Sequence, residues 1–398
     1  MKQFRKIIII SIALFSMLSC NNEINYTYTH ETDKAFPVLE VEGTYYEIGY
    51  AVGSMFKNQI FSMLKNRKNW FDGLREVAGE GEGSLYEQLF DKAMQYYPQY
   101  IEELEGMAEG SGVPFRDIFI LNIKAELGAE PFLEKEEVPG CSSIYFIRSD
   151  GKFLMHNEDG HRAFTGGMFI VKATPPSGVK FIALSYPGIM IGNGPGFNSF
   201  GIVQTTNYIA AAKWEIGIPR YFLNRAVLET KTIDEAIAVV SHEDRAFAYH
   251  HNLGDFNADY LVSVEVTPYI IQQFEPKEHY YHTNHFVLSE TVDFPQEMNY
   301  VNNSSISRYE VLYEKFHYLD GDNATFKDVL PFLASHNNPP FSPCRHPQDT
   351  IQGTTLATAV FDMRRDAMMI FKGNLCESFP SGIMTEYKLS DFDEPLVK

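Results

Sequence analysis

Val138-Pro139-Gly140-Cys141-Ser142-Ser143-Ile144-Tyr145-Phe146-Ile147 is followed by Arg148-Ser149-Asp150-Gly151 and then by Lys152-Phe153-Leu154-Met155-His156-Asn157-Glu158-Asp159. Two apolar runs, Ile144 to Ile147 and Phe153 to Met155, flank Asp150-Gly151, a dipeptide that favours the positive φ angles of a tight hairpin turn. The runs are therefore expected to pair. With Asp150 and Gly151 as the loop, Cys141 lies opposite Gly160 and Ser142 opposite Asp159. A two-residue loop puts Glu158 on the face of Cys141, and one further loop residue puts Asp159 there. Two candidate acids thus stand beside one thiol. Taken alone, the cysteine reads as a small buried hydrophobe at a strand end and the acids as solvated hairpin residues.

Working outward, 398 residues with 44% hydrophobic content can bury a large core, as one big domain or two tightly joined halves. A net charge of -19 and a pI near 5.1 exclude an electrostatic footprint for nucleic acid or anionic head groups. A neutral or apolar small molecule is the more compatible substrate. The 31 Phe and 23 Tyr fill a core and its sheets, or line an apolar pocket.

Residues 1–20 read as a targeting segment: Lys2, Arg5 and Lys6 precede an apolar run from Ile7 to Leu18, too short to span a bilayer. Its end, Ser19-Cys20-Asn21, resembles a bacterial lipoprotein signal with Cys20 as the lipidated residue; an ordinary signal peptide is the other reading. Either implies export to the cell envelope, with membrane attachment only through an N-terminal lipid. Residues 21–36 follow as a polar tether without hydrophobic period. Of the four cysteines, Cys344 and Cys376 are then left as a bridge or as two buried thiols. No CxxC or other thiolate metal spacing is present.

A short strand at Val38 to Val41 leads into helical stretches from Tyr45 to about Asn69, Leu85 to Ala108 and Phe115 to Leu127, with a break at Gly110-Ser111-Gly112-Val113-Pro114. Residues 128–140 form an acidic, exposed linker that ends in Val138-Pro139-Gly140. Strands dominate from there, interrupted by helices at Arg220 to Glu229, Ile233 to Ser241, Ser305 to Tyr318 and Phe326 to Ser335. A last hairpin pairs Thr355 to Asp362 with Met368 to Lys372. Layered strands between helical runs indicate an α+β or four-layer αββα body.

Several stretches resemble the acyl-coenzyme A:6-aminopenicillanic acid acyltransferase family, the C45 group of N-terminal-nucleophile hydrolases. They are Gly43-Thr44-Tyr45-Tyr46-Glu47-Ile48-Gly49, Glu102 to Gly110, Gly140-Cys141, Asn157-Glu158-Asp159 and His282-Thr283-Asn284-His285-Phe286, with a weaker match at Ser304-Ser305-Ile306-Ser307-Arg308. The resemblance runs from about Gly43 to Gly373. It implies the αββα N-terminal-nucleophile fold and self-cleavage between Gly140 and Cys141, so that 37–140 and 141–398 become two chains of one catalytic domain. An α-amine titrates near ~8, so a freed Cys141 amine can accept the proton of its own thiol and pass it to a leaving amine. The resemblance further implies that Asp159 orients that amine, that Asn284 donates to the oxyanion, and that Arg308 supports the carboxylate or the substrate. Asn157, Glu158, His285 and Ser307 are possible supporting residues.

The expected activity is hydrolysis of an N-acyl amide through a Cys141 thioester, with transfer of the acyl group to an amine as the alternative. A lipid-anchored binding protein with an inert thiol is the competing class. No cofactor and no metal are expected: His279, His282 and His285 sit at spacings that alternate across a strand and cannot converge. His156, His161 and His250-His251 read as polar surface or satisfied loop residues. Gly192-Asn193-Gly194-Pro195-Gly196 lacks the Gly-Lys-Ser/Thr of a phosphate loop and reads as a turn that can border the cleft. Oligomeric state is not set by composition.

Overall fold

The computed structural model describes residues 24, 26–128, 140–149, 151–298, 301–319, 323–346, 351–380 and 382–393. Residues 1–20, read above as a targeting segment with Cys20 as its lipid site, and nearly all of the acidic linker lie outside them. The chain enters through strands β1 (Tyr26–Thr29) and β2 (Val38–Glu42) and then forms helices α1 (Tyr45–Met55), α2 (Lys57–Asn66), α3 (Lys68–Ala78), α4 (Leu85–Tyr96), α5 (Pro98–Ser111) and α6 (Phe115–Asn122). The tether thus contributes an edge strand, with Tyr26 opposite Val41 and Thr29 opposite Val38. The stretch expected as one helix from Leu85 to Ala108 is two, because Pro98 has no N–H to continue the ladder and instead starts α5.

The hairpin follows as β3 (Ser142–Arg148) and β4 (Gly151–His161), and then β5 (Phe169–Thr174), β6 (Phe181–Ser185), β7 (Gly196–Asn198) and β8 (Ile202–Tyr208). After helices α7 (Arg220–Val227) and α8 (Ile233–Val240) come β9 (Tyr249–Asp255), β10 (Tyr260–Val266), β11 (Ile271–Phe274) and β12 (His279–His282). Helix α9 (Ile306–His317) precedes β13 (Gly353–Asp362), β14 (Ala367–Lys372) and β15 (Met384–Lys388). Among the described residues these make a nine-stranded sheet, β1-β2-β5-β6-β7-β8-β9-β10-β11, and a six-stranded sheet, β12-β3-β4-β13-β14-β15.

Strand alternation builds the layers. Tyr145, Leu154, Ala359, Phe361 and Ile370 point from the small sheet toward the large one, where they meet Phe197, Val203, Phe256 and Leu261. The other parity, Ile144, Phe146, Met155, Val360 and Phe371, packs outward on Leu312 and Phe316 of α9 and on Val329 and Leu333. On the far side of the large sheet Val262, Val264 and Val266 pack on Val227, Ala236 and Val240 from α7 and α8. The result is the expected αββα sandwich.

Helices α1 and α5 cross at backbone contact. A Cβ on Gly49 would lie 1.8 Å from the Glu103 carbonyl oxygen, and one on Gly106 2.0 Å from that of Tyr46. This is why glycines recur in the two N-terminal stretches quoted above. Glu103, buried on α5, accepts from Arg225 Nε of α7 at 2.9 Å, and Arg225 Nη1 also donates to Glu229 at 2.8 Å. The pair ties the N-terminal helices to the sandwich.

Candidate active site

The hairpin register differs from the expected one by two residues: Arg148 pairs with Gly151 and Ser142 with Asn157. Parity is preserved, so Cys141 shares the inner face of the sheet with Ser143, His156 and Glu158. Donor atoms of Cys141, His156 and Glu158 all lie within 4.8 Å of one another. Asp159 reaches the same place for a different reason. The β13 ladder slips between Thr355, opposite Asp159, and Ala357, opposite Glu158, so Leu356 is a bulge. Bulges re-aim side chains, and both consecutive acids line one cavity with Cys141.

Cys141 is buried, with its Sγ 3.9 Å from the Asp159 carbonyl oxygen. Burial, followed by the nearby Glu158 and Asp159 charges, pushes its thiol well above the usual range. A proton acceptor beside it is therefore needed before it can act as a nucleophile. Asp159 Oδ2 accepts from Arg345 Nη2 at 2.7 Å, and the same nitrogen donates to the Gly140 carbonyl at 2.5 Å. Asp159 Oδ1 is buried with no hydrogen-bond partner.

Arg308 binds the backbone and side chains around Cys141. From the first turn of α9 it donates to the Cys141 carbonyl at 2.5 Å, to Ser142 Oγ at 2.9 Å and to Asn284 Oδ1 at 2.7 Å. The contact with Asn284 Oδ1 fixes the amide, whose Nδ2 spends one hydrogen on the Tyr208 carbonyl at 2.7 Å and retains a second. Asn284 and Arg308 also crowd Gly140. A Cβ there would lie 2.3 Å from Arg308 Nη2 and 2.7 Å from Asn284 Oδ1.

The carboxylate-supporting guanidinium is thus supplied by Arg345, which carries no motif in the sequence. Of the other residues singled out, Asn157 faces outward, donating to the Leu333 and Pro343 carbonyls at 2.9 Å. His285 is held by Ser305 Oγ at 2.7 Å and the Ser307 carbonyl accepts from Asn338; neither residue lines the cavity. His156, His250 and His251 are buried strand residues, not surface ones. His161 and Asn193 of the glycine-rich turn do line the cavity.

The cavity, about 140 Å³, is walled by Trp70, Phe164, Tyr186, Tyr208, Tyr221 and Tyr249. Tyr186 hydroxyl donates to Glu158 Oε1 at 2.5 Å, and Glu158 Oε2 lies 3.3 Å from His156 Nε2. Arg220 also lines it. Its guanidinium carbon sits 4.5 Å from the centre of the Tyr208 ring and 4.7 Å from that of Tyr249, while its Nε and Nη1 are buried without hydrogen-bond partners. An acidic protein therefore keeps cations, Arg67, Lys124 and Arg220, around its cavity.

The profile of the acyl-coenzyme A:6-aminopenicillanic acid acyl-transferase family matches residues 147–375, more than half of the chain. The chain belongs to that family. Within related sequences, it is 29% identical over 306 residues to the beta-alanyl-dopamine/carcinine hydrolase of Drosophila melanogaster, covering 70% of this chain and 78% of the relative. It is 27% identical over 326 residues to the 40 kDa form of acyl-coenzyme A:6-aminopenicillanic-acid-acyltransferase of Emericella nidulans, covering 81% of this chain and 88% of the relative. Among solved structures, a mutant of the conjugated bile acid hydrolase from Clostridium perfringens aligns with a TM-score of 0.41 and 10% identity over 62% of this chain and 96% of that one. This acyl-transferase family member is accordingly an enzyme of the amide hydrolase and acyltransferase type.

Proposed function

We propose that the protein cuts itself between Gly140 and Cys141 and then hydrolyses an N-acyl amide through a thioester on Cys141. The observation that carries this reading is the buried, unpartnered Oδ1 of Asp159, whose other oxygen is held by Arg345 beside the Gly140 carbonyl. A buried carboxylate oxygen left without a partner is costly. The charged or neutral amine freed at Cys141 supplies the missing donor.

In the first step Sγ attacks the Gly140 carbonyl carbon, which the Arg345 guanidinium polarises. The Cys141 nitrogen leaves with a proton, and water then hydrolyses the Gly140 thioester to a carboxylic acid. In turnover the new α-amine takes the thiol proton, Sγ attacks the substrate carbonyl, and the proton passes to the departing amine. Water then releases the acid. Asn284 Nδ2 has one hydrogen left for the oxyanion, and Arg308 holds that amide in orientation.

The cavity chemistry supports a substrate with a carboxylate, as in an N-acyl amino acid. Arg220 offers two donor nitrogens, Nε and Nη1, without hydrogen-bond partners inside an aromatic wall, the arrangement that suits a carboxylate between apolar surfaces. Transfer of the acyl group to an amine uses the same thioester and remains the second reading because two relatives divide between hydrolase and acyltransferase names. The charged n-region and Cys20 support action at the cell envelope from a lipid anchor; labelling with a radioactive fatty acid, lost in Cys20→Ser, tests that part.

Intact-mass analysis tests the main reading. The wild type is expected as two chains divided before Cys141, releasing acid from N-acyl amino acids. Cys141→Ala is expected to remain uncut and inactive. An uncut wild type with an unreactive thiol, or turnover that survives in Cys141→Ala, overturns it.

A further inference from the structure

Behind Arg345, away from the cavity, four side chains converge that the proposed reaction does not use. His336, Cys344 and His346 come from the loop before β13, and Cys376 from the helical turn Leu375–Ser378. One donor atom from each lies within 4.8 Å of all the others. The two Sγ atoms are 3.5 Å apart, His346 Nε2 is 3.3 Å from Cys376 Sγ, and His346 Nε2 is 3.1 Å from His336 Nε2. Both cysteines are free thiols.

We infer that these residues form a Cys2His2 site for a single zinc-class divalent ion. Zinc binds thiolate at about 2.3 Å and imidazole at about 2.0–2.1 Å in a tetrahedron, which makes the ligand-to-ligand edges about 3.3 to 3.8 Å. The three separations match those edges to within a few tenths of an ångström. Two soft sulfurs and two imidazoles, with no oxygen donor among the four, favour zinc over magnesium or calcium.

The surrounding groups match what metal ligands are given. His346 Nδ1, the ring nitrogen not aimed at the cluster, lies 3.4 Å from Glu377 Oε1, within ion-pair range of a carboxylate of the kind that commonly stands behind a ligating imidazole. Asn374 Nδ2 donates to Cys344 Sγ at 3.4 Å, an N–H···S contact that stabilises a thiolate. Binding converts two thiols into thiolates and releases two protons to solvent. No electron transfer is involved.

The site has a structural consequence. Two of its ligands, Cys344 and His346, flank Arg345, whose backbone is further pinned by Thr355 Oγ1 and by Asn374 Nδ2. An ion clamps both neighbours of the guanidinium that holds Asp159 and the Gly140 carbonyl. That consequence rests on the proposed amidase reading; the site itself does not.

The test is the metal content of the full chain, produced without a histidine tag in zinc-supplemented medium, together with Co²⁺ titration of the chelator-stripped protein. Expected are one equivalent of zinc per chain and, with Co²⁺, thiolate charge-transfer absorption with the intense visible bands of a tetrahedral ion. Cys141→Ala is expected to change neither, which separates this site from the Cys141, His156 and Glu158 cluster. His336→Ala, on the exposed side, is expected to weaken Co²⁺ binding at least tenfold, as is Cys376→Ala. Should Cys376→Ala fail to fold, protection of Cys344 and Cys376 from alkylation by zinc in the wild type reads the same site. Less than a tenth of an equivalent of zinc with no thiolate-to-cobalt band overturns the inference, as does loss of the band in Cys141→Ala or a Cys344–Cys376 disulfide in the protein as isolated. Failure of the amidase reading leaves an uncut chain with its metal content unchanged, so the two fail separately.

Discussion

Gly140 shows how tightly single residues are specified at this site. Its missing Cβ is the space occupied by Arg308 Nη2 and Asn284 Oδ1, and these two groups are the proposed oxyanion donor and the guanidinium that holds it. Gly140→Ala is therefore expected to accumulate as an uncut chain on a denaturing gel while retaining its far-UV spectrum, because the clash falls on the Arg308 and Asn284 side chains beside Gly140 and not on the apolar core. Arg220 is specified by what it lacks. If a substrate carboxylate takes its free N–H groups, Arg220→Met removes a charge-assisted pair worth about 1.5–3 kcal/mol, or roughly a ten- to hundredfold rise in KM for N-acyl amino acids. An uncharged N-acyl amide should be unaffected, and an equal loss on both substrates would remove Arg220 from recognition. Near-UV circular dichroism of the variant checks that the aromatic cage around it survives.

At the level of elements, two contacts position the site from a distance. The crossing of α1 and α5 lets backbones touch at Gly49, Gly53, Gly106 and Gly110, and α5 passes that position on to α7, and so to Arg220 at its N-terminus, through Glu103 and Arg225. Adding a methyl group at Gly106 forces the helices apart, because the obstacle is the Tyr46 carbonyl and not a movable side chain. Gly106→Ala is expected to lower unfolding free energy by about 1–3 kcal/mol or more, read from urea unfolding midpoints at unchanged m-value. The second contact is the hairpin and its neighbour β13. Turn chemistry located the hairpin but left its parity open between Glu158 and Asp159; the observed register lies two residues from the expected one, with β12 and β13 paired on either side of the hairpin. A bulge at Leu356 then lets Glu158 and Asp159 serve one cavity, which no period-two pattern can express.

Across the whole molecule, the space around the site is polar, and three buried histidines, His250, His251 and His285, are held neutral. Burial pushes His251 down to about 3; burial first, with Arg308 nearby, does the same to His285; burial takes His250 well below its ordinary 6.5. In the unfolded chain these groups take up protons below about 6.5. The unfolded state then binds more protons than the folded one, so the stability is fully present above that pH and falls as the pH drops toward 3. Each histidine contributes up to about 1.4 kcal/mol per pH unit. Thermal melts between pH 7 and 4 are expected to show a falling Tm, and His251→Asn is expected to flatten the slope; an unchanged slope in that variant would remove His251 from the account.

Legible in the sequence were an α+β body, the thiol at the start of a hairpin and, through short motifs, the family resemblance that implies αββα layers, because strand alternation, turn dipeptides and contiguous motifs are local properties of a chain. The glycine-rich turn read as able to border the cleft does so through Asn193. The sequence did not reveal Arg345, Arg220 or the His336, Cys344, His346 and Cys376 cluster. These residues gain meaning only from neighbours far away in the chain: Asp159 beside Arg345, the rings of Tyr208 and Tyr249 beside Arg220, and Cys376 beside a loop some thirty residues earlier. Spacing rules for metal ligands and catalytic groups assume that donors come from one segment. Here packing of separate segments brings them together, and only the tertiary structure carries that information.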